Sequence, residues 1–142
     1  MILRQATAAD IPALVEAEAA CFGAEAWTVG MIREEFTRAG GVQWIAESEG
    51  SAVGFAFGMV VVDEVHVLHI ATMPDRRRGG IGRRLLGALL ATPGVESAWL
   101  EVRADNPVAI GLYASEGFLE VGRRPRYYGG VDAVVMRQGG RT

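Results

Sequence analysis

The sequence predicts a mixed α/β (α+β) fold, in which helices cover both faces of a largely antiparallel sheet. Its 142 residues suit one domain with a single core. Hydrophobic residues make up 50% of the chain and charged residues 22%, a balance typical of globular proteins. The predicted elements follow one another in the order β-α-α-β-β-β-α-β-α-β-β, which is the pattern of helices packed on a mixed sheet.

The first half of the chain begins with one strand and two helices. A capping box at Thr7 and Asp10 starts the first helix, and Trp27 and Thr28 start the second. Three strands joined by short turns follow. The predicted bounds are 2–6 for the first strand, about 8–21 for the first helix, 27 to the glycines at 40 and 41 for the second, and 42–48, 52–62 and 64–73 for the three strands.

The second half alternates helices with strands and closes with a hairpin. The stretch GIGRRLLGALLAT, residues 80–92, places Leu85 and Leu89 on one face of a helix. The last helix starts with Asn106 as N-cap and Pro107 at its first position. The remaining bounds are 97–104 for a strand, 106–118 for the helix, and 118–124 and 132–137 for the hairpin. We expect one domain over 1–138 and a frayed tail over 139–142.

Composition and charge exclude several classes of function. A net charge of −3 argues against nucleic-acid binding, which favours strongly basic domains. The chain has no lysine, so a lysine Schiff base is excluded. Its single cysteine, Cys21, and its two histidines are too few for a disulfide or a usual zinc site, so no metal is expected. Without a long apolar run or a signal peptide, we expect a cytoplasmic protein that binds no membrane.

The stretch RRRGGIGRRLL, residues 76–86, predicts an anion site. It joins a strand to the start of a helix, where backbone N–H groups lack partners and the helix dipole is positive. Glycines at 79, 80 and 82 let a ligand approach the backbone, and Arg77, Arg78 and Arg83 add positive charge. This arrangement fits a pyrophosphate, and a glycine turn followed by solvated arginines is the alternative. Neither a P-loop nor a G-x-G-x-x-G fingerprint is present.

Two motifs together resemble a known enzyme family. The run from Arg77 to Gly82 matches R-x-x-G-x-G and resembles the coenzyme A pyrophosphate loop of the GNAT N-acetyltransferases. The stretch WLEVRADNPVAIGLYASEGF, residues 99–118, is more specific, and with HIATMPDRRRGGIGRRLL it resembles the ribosomal-protein-alanine acetyltransferases of the RimI type. This resemblance extends over most of the chain and implies the GNAT acyltransferase fold, with acetyl-CoA as cosubstrate.

The resemblance also implies a role for each matched residue. Glu101 would be the general base, Tyr113 the general acid, and Asn106 a contact of the pantetheine arm. Two further groups of residues would hold acetyl-CoA. The pantetheine and the acetyl carbonyl would be held by the backbone of Ile70, Ala71 and Thr72. The pyrophosphate would be held by Arg78, Gly79, Gly80, Ile81, Gly82 and Arg83.

The chemistry of acetyl transfer requires such residues. A carboxylate can take the proton of the attacking amine, directly or through a water. Backbone N–H groups at the edge of the strand 65–73 can stabilise the oxyanion, and a tyrosine hydroxyl can protonate the departing thiolate. Each side chain also has a structural interpretation: Glu101 as an exposed strand carboxylate, Tyr113 as a core residue, Asn106 as a helix cap.

Three other residues are weaker candidates. His66 and His69 lie at an odd separation on one predicted strand, so we expect them to face opposite sides of the sheet. At most one of the two histidines would then reach the catalytic site, and His66 is the candidate, in the role of positioning a water. For both histidines, however, we first expect a structural role. Cys21 is expected to be a small buried apolar residue rather than an acyl carrier.

The pKa of the acceptor amine favours a protein N-terminus. An α-amine has a pKa of about 7.7–8.0 and lysine about 10.4, so neutralising lysine at pH 7 costs about 3.5 kcal/mol more. The resemblance implies the same acceptor, the N-terminal alanine of ribosomal protein S18, acetylated by direct transfer. A small amine, a lysine side chain and a non-catalytic acetyl-CoA-binding module are the alternatives. We expect a monomer or a weak homodimer.

Arginine and tyrosine side chains precede the last predicted strand: Arg124, Arg126, Tyr127 and Tyr128. In the resembling family this hairpin walls the peptide slot. The loop GGV that follows is several residues shorter than is usual there, which bears on the peptide specificity and not on acetyl transfer. An ordinary amphipathic hairpin is the alternative interpretation.

Overall fold

One sheet of seven strands runs through the molecule, in a computed structural model that describes residues 1–139. The strands are β1 (Ile2–Gln5), β2 (Gly41–Ser48), β3 (Ser51–Val61), β4 (Glu64–Thr72), β5 (Ser97–Arg103), β6 (Leu119–Tyr128) and β7 (Val131–Gly139). Their order across the sheet is β1-β2-β3-β4-β5-β7-β6. All neighbours are antiparallel except β4 and β5, which are parallel. The predicted mixed, largely antiparallel sheet is confirmed.

Helices pack on both faces of this sheet. They are α1 (Ile11–Phe22), α2 (Val29–Glu35), α3 (Ile81–Leu90) and α4 (Pro107–Ser115). On one face, leucines of α3 form a core with Val65, Val67 and Leu100, and α4 packs against the same core. On the other face, Leu14 of α1 and Ile32 of α2 pack with the phenylalanines of β3. We call these two sides the α3 face and the α1 face.

The sheet opens between its two parallel strands. β4 and β5 are paired only from Glu64 with Ser97 to Val67 with Leu100. Beyond these pairs, β4 continues beside β3 as far as Thr72, and β5 continues beside β7 as far as Arg103. The two strands therefore separate at their carboxyl ends, and we call the resulting opening the β4–β5 cleft.

A β-bulge in β4 changes which side chains reach the α1 face. Phe57 of β3 pairs with His69 and Gly58 pairs with Val67, so Leu68 has no opposite residue. His66 faces away from the core that holds its neighbours Val65 and Val67, and His69 packs against rings of the α1 face. The prediction that the two histidines face opposite sides is wrong, because the extra residue between them shifts the alternation.

Several element ends differ from the sequence prediction. A 3₁₀ turn, Ala8–Asp10, precedes α1, and the Thr7 N–H donates to Asp10 Oδ2 at 2.8 Å. α2 ends at Glu35, well before Gly40, whose carbonyl accepts a hydrogen bond from the Val60 N–H of β3.

The closing hairpin is also longer than predicted. β6 extends to Tyr128 rather than ending at 124, and Gly139 pairs with Ser97 rather than belonging to the tail. The rest of the predicted tail, residues 140–142, lies outside the described residues. None of the helices within residues 1–139 is long and apolar enough to cross a membrane.

Candidate active site

The β4–β5 cleft has a volume of about 550 Å³ and brings together both candidate catalytic side chains. Glu101, Tyr113 and Asn106 line it, together with Ile70 and both histidines. The other predicted cofactor residues, from Ala71 to Arg83, lie beyond the cleft at the end of β4 and the start of α3. The cleft is completed by residues from the end of α1, the α1–α2 connection and the end of β6: Phe22, Glu25, Trp27, Tyr127 and Tyr128.

Glu101 projects into the cleft from the α1 face, because its neighbours Leu100 and Val102 belong to the core of the α3 face. Its side chain is 9% exposed, so it is not the exposed strand carboxylate that the sequence left as an alternative. Oε1 lies 3.4 Å from His66 Nε2, and Oε2 lies 3.2 Å from Arg124 Nε. Within residues 1–139, Oε2 nevertheless receives no hydrogen bond of acceptable geometry. A carboxylate oxygen in this state can accept a proton.

His66 is held in a fixed orientation beside Glu101. Its ring stacks on Trp99 of β5, with centroids 3.7 Å apart and planes within 7°. Burial lowers the pKa of His66 below its ordinary value, and the nearby Glu101 carboxylate opposes that shift. A mainly neutral imidazole therefore lies against the candidate base, consistent with the sequence-based candidacy of His66.

Tyr113 reaches the same cleft from the opposite face. It lies on α4 and packs against the core of the α3 face. Its ring meets the Phe118 ring edge to face, with the ring centroids 5.9 Å apart. Burial raises the pKa of Tyr113 to about 12, because a phenolate is poorly solvated there. The hydroxyl is therefore protonated at neutral pH and can donate its proton.

The start of α3 presents backbone donors at the end of β4. Gly80 is the N-cap in a left-handed conformation with φ of 82°, and no side chain caps the helix. A Cβ at Gly82 would make only ordinary van der Waals contacts, with Leu112 and Thr72 at 3.6 Å. These residues fit a diphosphate, because the first N–H groups of a helix bind anions when no side chain satisfies them.

The arginines around this turn have different contacts. Arg77 Nε donates to the Thr72 carbonyl at 3.2 Å. Arg83 Nε lies 3.4 Å from Glu116 Oε1 at the end of α4. Arg78 is exposed and has a positive φ of 70°. Arg77 and Arg83 therefore brace the turn against its neighbours, while Arg78 is presented to solvent.

Asn106 serves as a helix cap. Its Oδ1 accepts a hydrogen bond from the Ala109 N–H at 3.1 Å, at the N-cap of α4. This confirms the structural interpretation of Asn106, and its position on the cleft wall keeps a cofactor contact as a prediction. Cys21 lies half-buried with Sγ 3.5 Å from the Thr72 carbonyl, and burial raises the pKa of its thiol. Within residues 1–139, no group of three or more potential ligands could hold a metal ion.

The β6–β7 hairpin covers the outer side of the cleft. The Tyr128 hydroxyl donates to the Glu101 carbonyl at 3.4 Å, and the Arg103 guanidinium lies over the Tyr128 ring. Arg124 lies over the Tyr127 ring in the same way. The Arg126 backbone N–H donates a hydrogen bond to Asp132 Oδ1 at 3.0 Å, and Arg126 has a positive φ of 55°. The two tyrosines of the cluster therefore line the cleft, and Arg124 reaches it through its contact with Glu101.

Sequence reasoning missed Glu18 of α1, which is 1% exposed and contacts two residues of the cleft wall. It also missed the contact between Arg124 and Glu101. No local pattern marks Glu18, because its partner His69 lies 51 positions away. Arg124 belongs to the predicted arginine–tyrosine cluster, but no local pattern links it to Glu101.

Comparison with known proteins identifies the family of this chain. A model of the acetyltransferase (GNAT) family matches residues 11–118. The chain belongs to the GNAT family. The sequence-based resemblance is thus confirmed at the level of the family and of the fold.

Relatives of this GNAT chain include characterised acetyltransferases. The [ribosomal protein bS18]-alanine N-acetyltransferase of Escherichia coli K12 is 46% identical over 94 residues, which are 61% of this chain and 64% of the relative. The N-alpha-acetyltransferase RimI of Mycobacterium tuberculosis is 38% identical over 93% of this chain and 88% of the relative. An uncharacterised Mycobacterium leprae protein is 37% identical over 97% of this chain, but the match spans only 40% of its own length.

Solved structures agree with the family assignment. The crystal structure of the Escherichia coli ribosomal-protein-S18-alanine N-acetyltransferase superimposes with a TM-score of 0.89 at 32% identity, covering 97% of this chain and 92% of the other. Ard1 from Thermoplasma volcanium gives a TM-score of 0.84 at 28% identity, covering 99% of this chain and 98% of the other.

This GNAT chain joins β6 to β7 through Gly129 and Gly130 alone, a two-residue hairpin turn.

Proposed function

We propose that this GNAT chain transfers the acetyl group of acetyl-CoA to the α-amino group of a protein N-terminus, directly and within a ternary complex. One observation carries the proposal: a buried carboxylate and a protonated tyrosine enter the same cleft from opposite faces of the sheet. A proton acceptor and a proton donor on opposite sides of a gap suit an acyl transfer between two substrates that arrive from opposite sides.

The α3 face is the proposed donor side. The diphosphate of coenzyme A binds the N–H groups of residues 78–83, where α3 begins on that face. The pantetheine arm follows the edge of β4 from Thr72 towards Ile70, where β4 has left its β5 partner. Asn106 borders this path at the cleft wall. In this proposed arrangement the thioester lies between the two strands, beside Tyr113.

The α1 face is the proposed acceptor side. Acetyl-CoA supplies an activated acetyl group and a thiolate leaving group. Glu101 takes the proton of the attacking amine, directly or through a water, as the new C–N bond forms. Backbone N–H groups at the freed edge of β4 stabilise the carbonyl oxygen, and Tyr113 gives its proton to the sulfur as the C–S bond breaks.

A ribosomal protein N-terminus is the proposed physiological acceptor. The name of the Escherichia coli relative supports it. The name of the Mycobacterium tuberculosis relative supports an N-terminal α-amine as the acceptor group, and so does the lower cost of neutralising an α-amine than a lysine at pH 7. Acetylation of S18 would place the reaction in the cytoplasm, in agreement with the sequence-based expectation.

A panel of acceptors tests this proposal. Peptides beginning Ala-Arg, the same peptides with a blocked N-terminus and an internal lysine, and small amines are incubated with acetyl-CoA, and the products are read by mass spectrometry. We expect acetyl on the free α-nitrogen only. Preferential acetylation of a polyamine or of the internal lysine would replace the proposed acceptor, and the absence of any product would support a non-catalytic acetyl-CoA-binding module.

Replacing Tyr113 with phenylalanine tests the proton donor. We expect kcat to fall by about 10-fold to 100-fold, a modest part of the usual gain from general acid catalysis, with an unchanged Kd for coenzyme A. Because the pKa of Tyr113 is raised to about 12, the wild-type kcat should show no alkaline decline from this group below about pH 11. Steady-state kinetics across pH measure both effects. An unchanged kcat, or a fall of kcat matched by an equal weakening of coenzyme A binding, would contradict the role of Tyr113.

A further inference from the structure

Glu18 is a buried carboxylate that the proposed chemistry does not use. It lies on α1 with 1% of its surface exposed. Both of its oxygens are engaged: Oε1 lies 2.7 Å from His69 Nε2, and Oε2 accepts the Trp27 N–H at 2.8 Å. Because a carboxylate loses its hydration on burial, its charge is tolerated only where such close partners replace the water.

Both partners of Glu18 form the wall of the β4–β5 cleft on the α1 face. Trp27 and His69 line the cleft, whereas Glu18 does not. Their rings stack with centroids 4.2 Å apart and planes within 10°, and the bulge at Leu68 is what turns His69 towards this face. One carboxylate therefore holds the backbone of Trp27 and the imidazole stacked on its indole.

This wall lies on the acceptor side of the cleft. The start of α3, where the diphosphate is proposed to bind, belongs to the other face of the sheet. Glu101 projects towards the α1 face, as the Trp27–His69 stack does. A displacement of the stack should therefore change how the acceptor is held and leave the binding of coenzyme A intact.

We propose that Glu18 is a positioning residue that fixes Trp27 and His69 as a rigid acceptor-binding wall and thereby sets the affinity for the acceptor peptide. This inference rests on the proposed function, since it takes the acceptor to enter from the α1 face. Glu18 acts through its two partners and not on the reacting atoms. Its loss should appear in acceptor binding rather than in turnover.

Two substitutions at Glu18 separate positioning from mere bulk. Glu18→Leu removes both hydrogen bonds and leaves the Trp27 N–H and His69 without their buried partner. We expect the KM for an N-terminal peptide to rise at least about tenfold, the order expected for the loss of one or two buried hydrogen bonds. kcat and the Kd of coenzyme A should change less than about threefold. Glu18→Gln keeps an oxygen for Trp27 and an amide for His69, so it should restore most of the affinity.

Controls keep the test decisive even if Glu18→Leu does not fold. Glu16→Leu makes the same change at an exposed position of the same helix and should leave KM unchanged. His69→Gln keeps a donor for Glu18 and removes the ring stacked on Trp27, so it should raise the peptide KM without lowering kcat. The inference is overturned if the peptide KM is unchanged in both Glu18→Leu and His69→Gln. If Glu18→Leu does not fold, an unchanged KM in His69→Gln is enough to overturn it. A fall of kcat as large as the rise of KM also overturns it.

Calorimetric binding of the peptide to the protein saturated with coenzyme A separates this inference from the proposed function. Wild-type protein that binds the peptide but transfers no acetyl overturns the proposed function, and the Kd values of the variants then decide the role of Glu18. A peptide that does not bind the wild type overturns both.

Discussion

Glu101→Gln should lower kcat for acetylation of an N-terminal peptide by between about 100-fold and 10,000-fold, the range that a general base contributes. The amide has nearly the shape of the carboxylate, so its contacts with His66 and Arg124 are kept while the proton-accepting charge is lost. The Kd of coenzyme A should stay within about twofold, because Glu101 projects towards the α1 face and the start of α3 lies on the other face. Stopped-flow or steady-state assays together with calorimetry measure the two quantities.

The matched control for this variant is Glu120→Gln. Glu120 lies on β6 with a half-exposed side chain paired with Arg123 at 3.4 Å, so it loses the same charge at a site away from the cleft. Its kcat should equal that of the wild type. Normal turnover in Glu101→Gln, or equal losses in both variants, would exclude Glu101 as the general base.

Gly82→Glu should raise the Kd of coenzyme A by about 100-fold. The new carboxylate would lie in the first turn of α3, beside the N–H groups proposed to bind the diphosphate, and like charges brought together cost several kcal/mol. The fold should tolerate the change, because a Cβ at Gly82 meets only ordinary contacts and an acidic residue stabilises a helix N-terminus. Equilibrium binding of coenzyme A measures the effect.

Two comparisons identify the cause of that loss. Gly87→Glu places the same charge on an exposed position further along the same helix, where we expect less than a threefold change. Acetyl-pantetheine lacks the diphosphate, so we expect the wild type and Gly82→Glu to bind it with the same low affinity. If acetyl-pantetheine lost affinity to the same extent as coenzyme A, the damage would lie in the fold and not at the diphosphate.

Local patterns in the sequence predict the parts of this fold that depend on near neighbours. The alternation along β5 places Leu100 and Val102 in the core of the α3 face and directs Glu101 to the α1 face. Asn106 followed by proline marks the start of α4, where the amide caps the helix as predicted. The glycine turn before α3 follows from the same kind of rule, because a helix start is decided within a few residues.

Features that depend on distant partners escape such patterns. The bulge at Leu68 arises from the register between β4 and β3. It directs His69 to the α1 face, whereas simple alternation from His66 would direct it to the α3 face. Glu18 and His69 are 51 positions apart, and no local signal links them. Arg124 of β6 reaches Glu101 of β5 across β7, which lies between these two strands. These contacts set the charges in the cleft and hold the wall that we propose binds the acceptor.

We propose that the two substrates reach the β4–β5 cleft from opposite faces of the sheet. A crystal structure with coenzyme A joined through an acetyl linker to the α-nitrogen of a peptide tests this claim directly. We predict the diphosphate on the N–H groups of residues 78–83, the linker between β4 and β5, and the peptide leaving past Trp27 on the α1 face. A diphosphate bound elsewhere, or a peptide that leaves on the α3 face, would contradict the account.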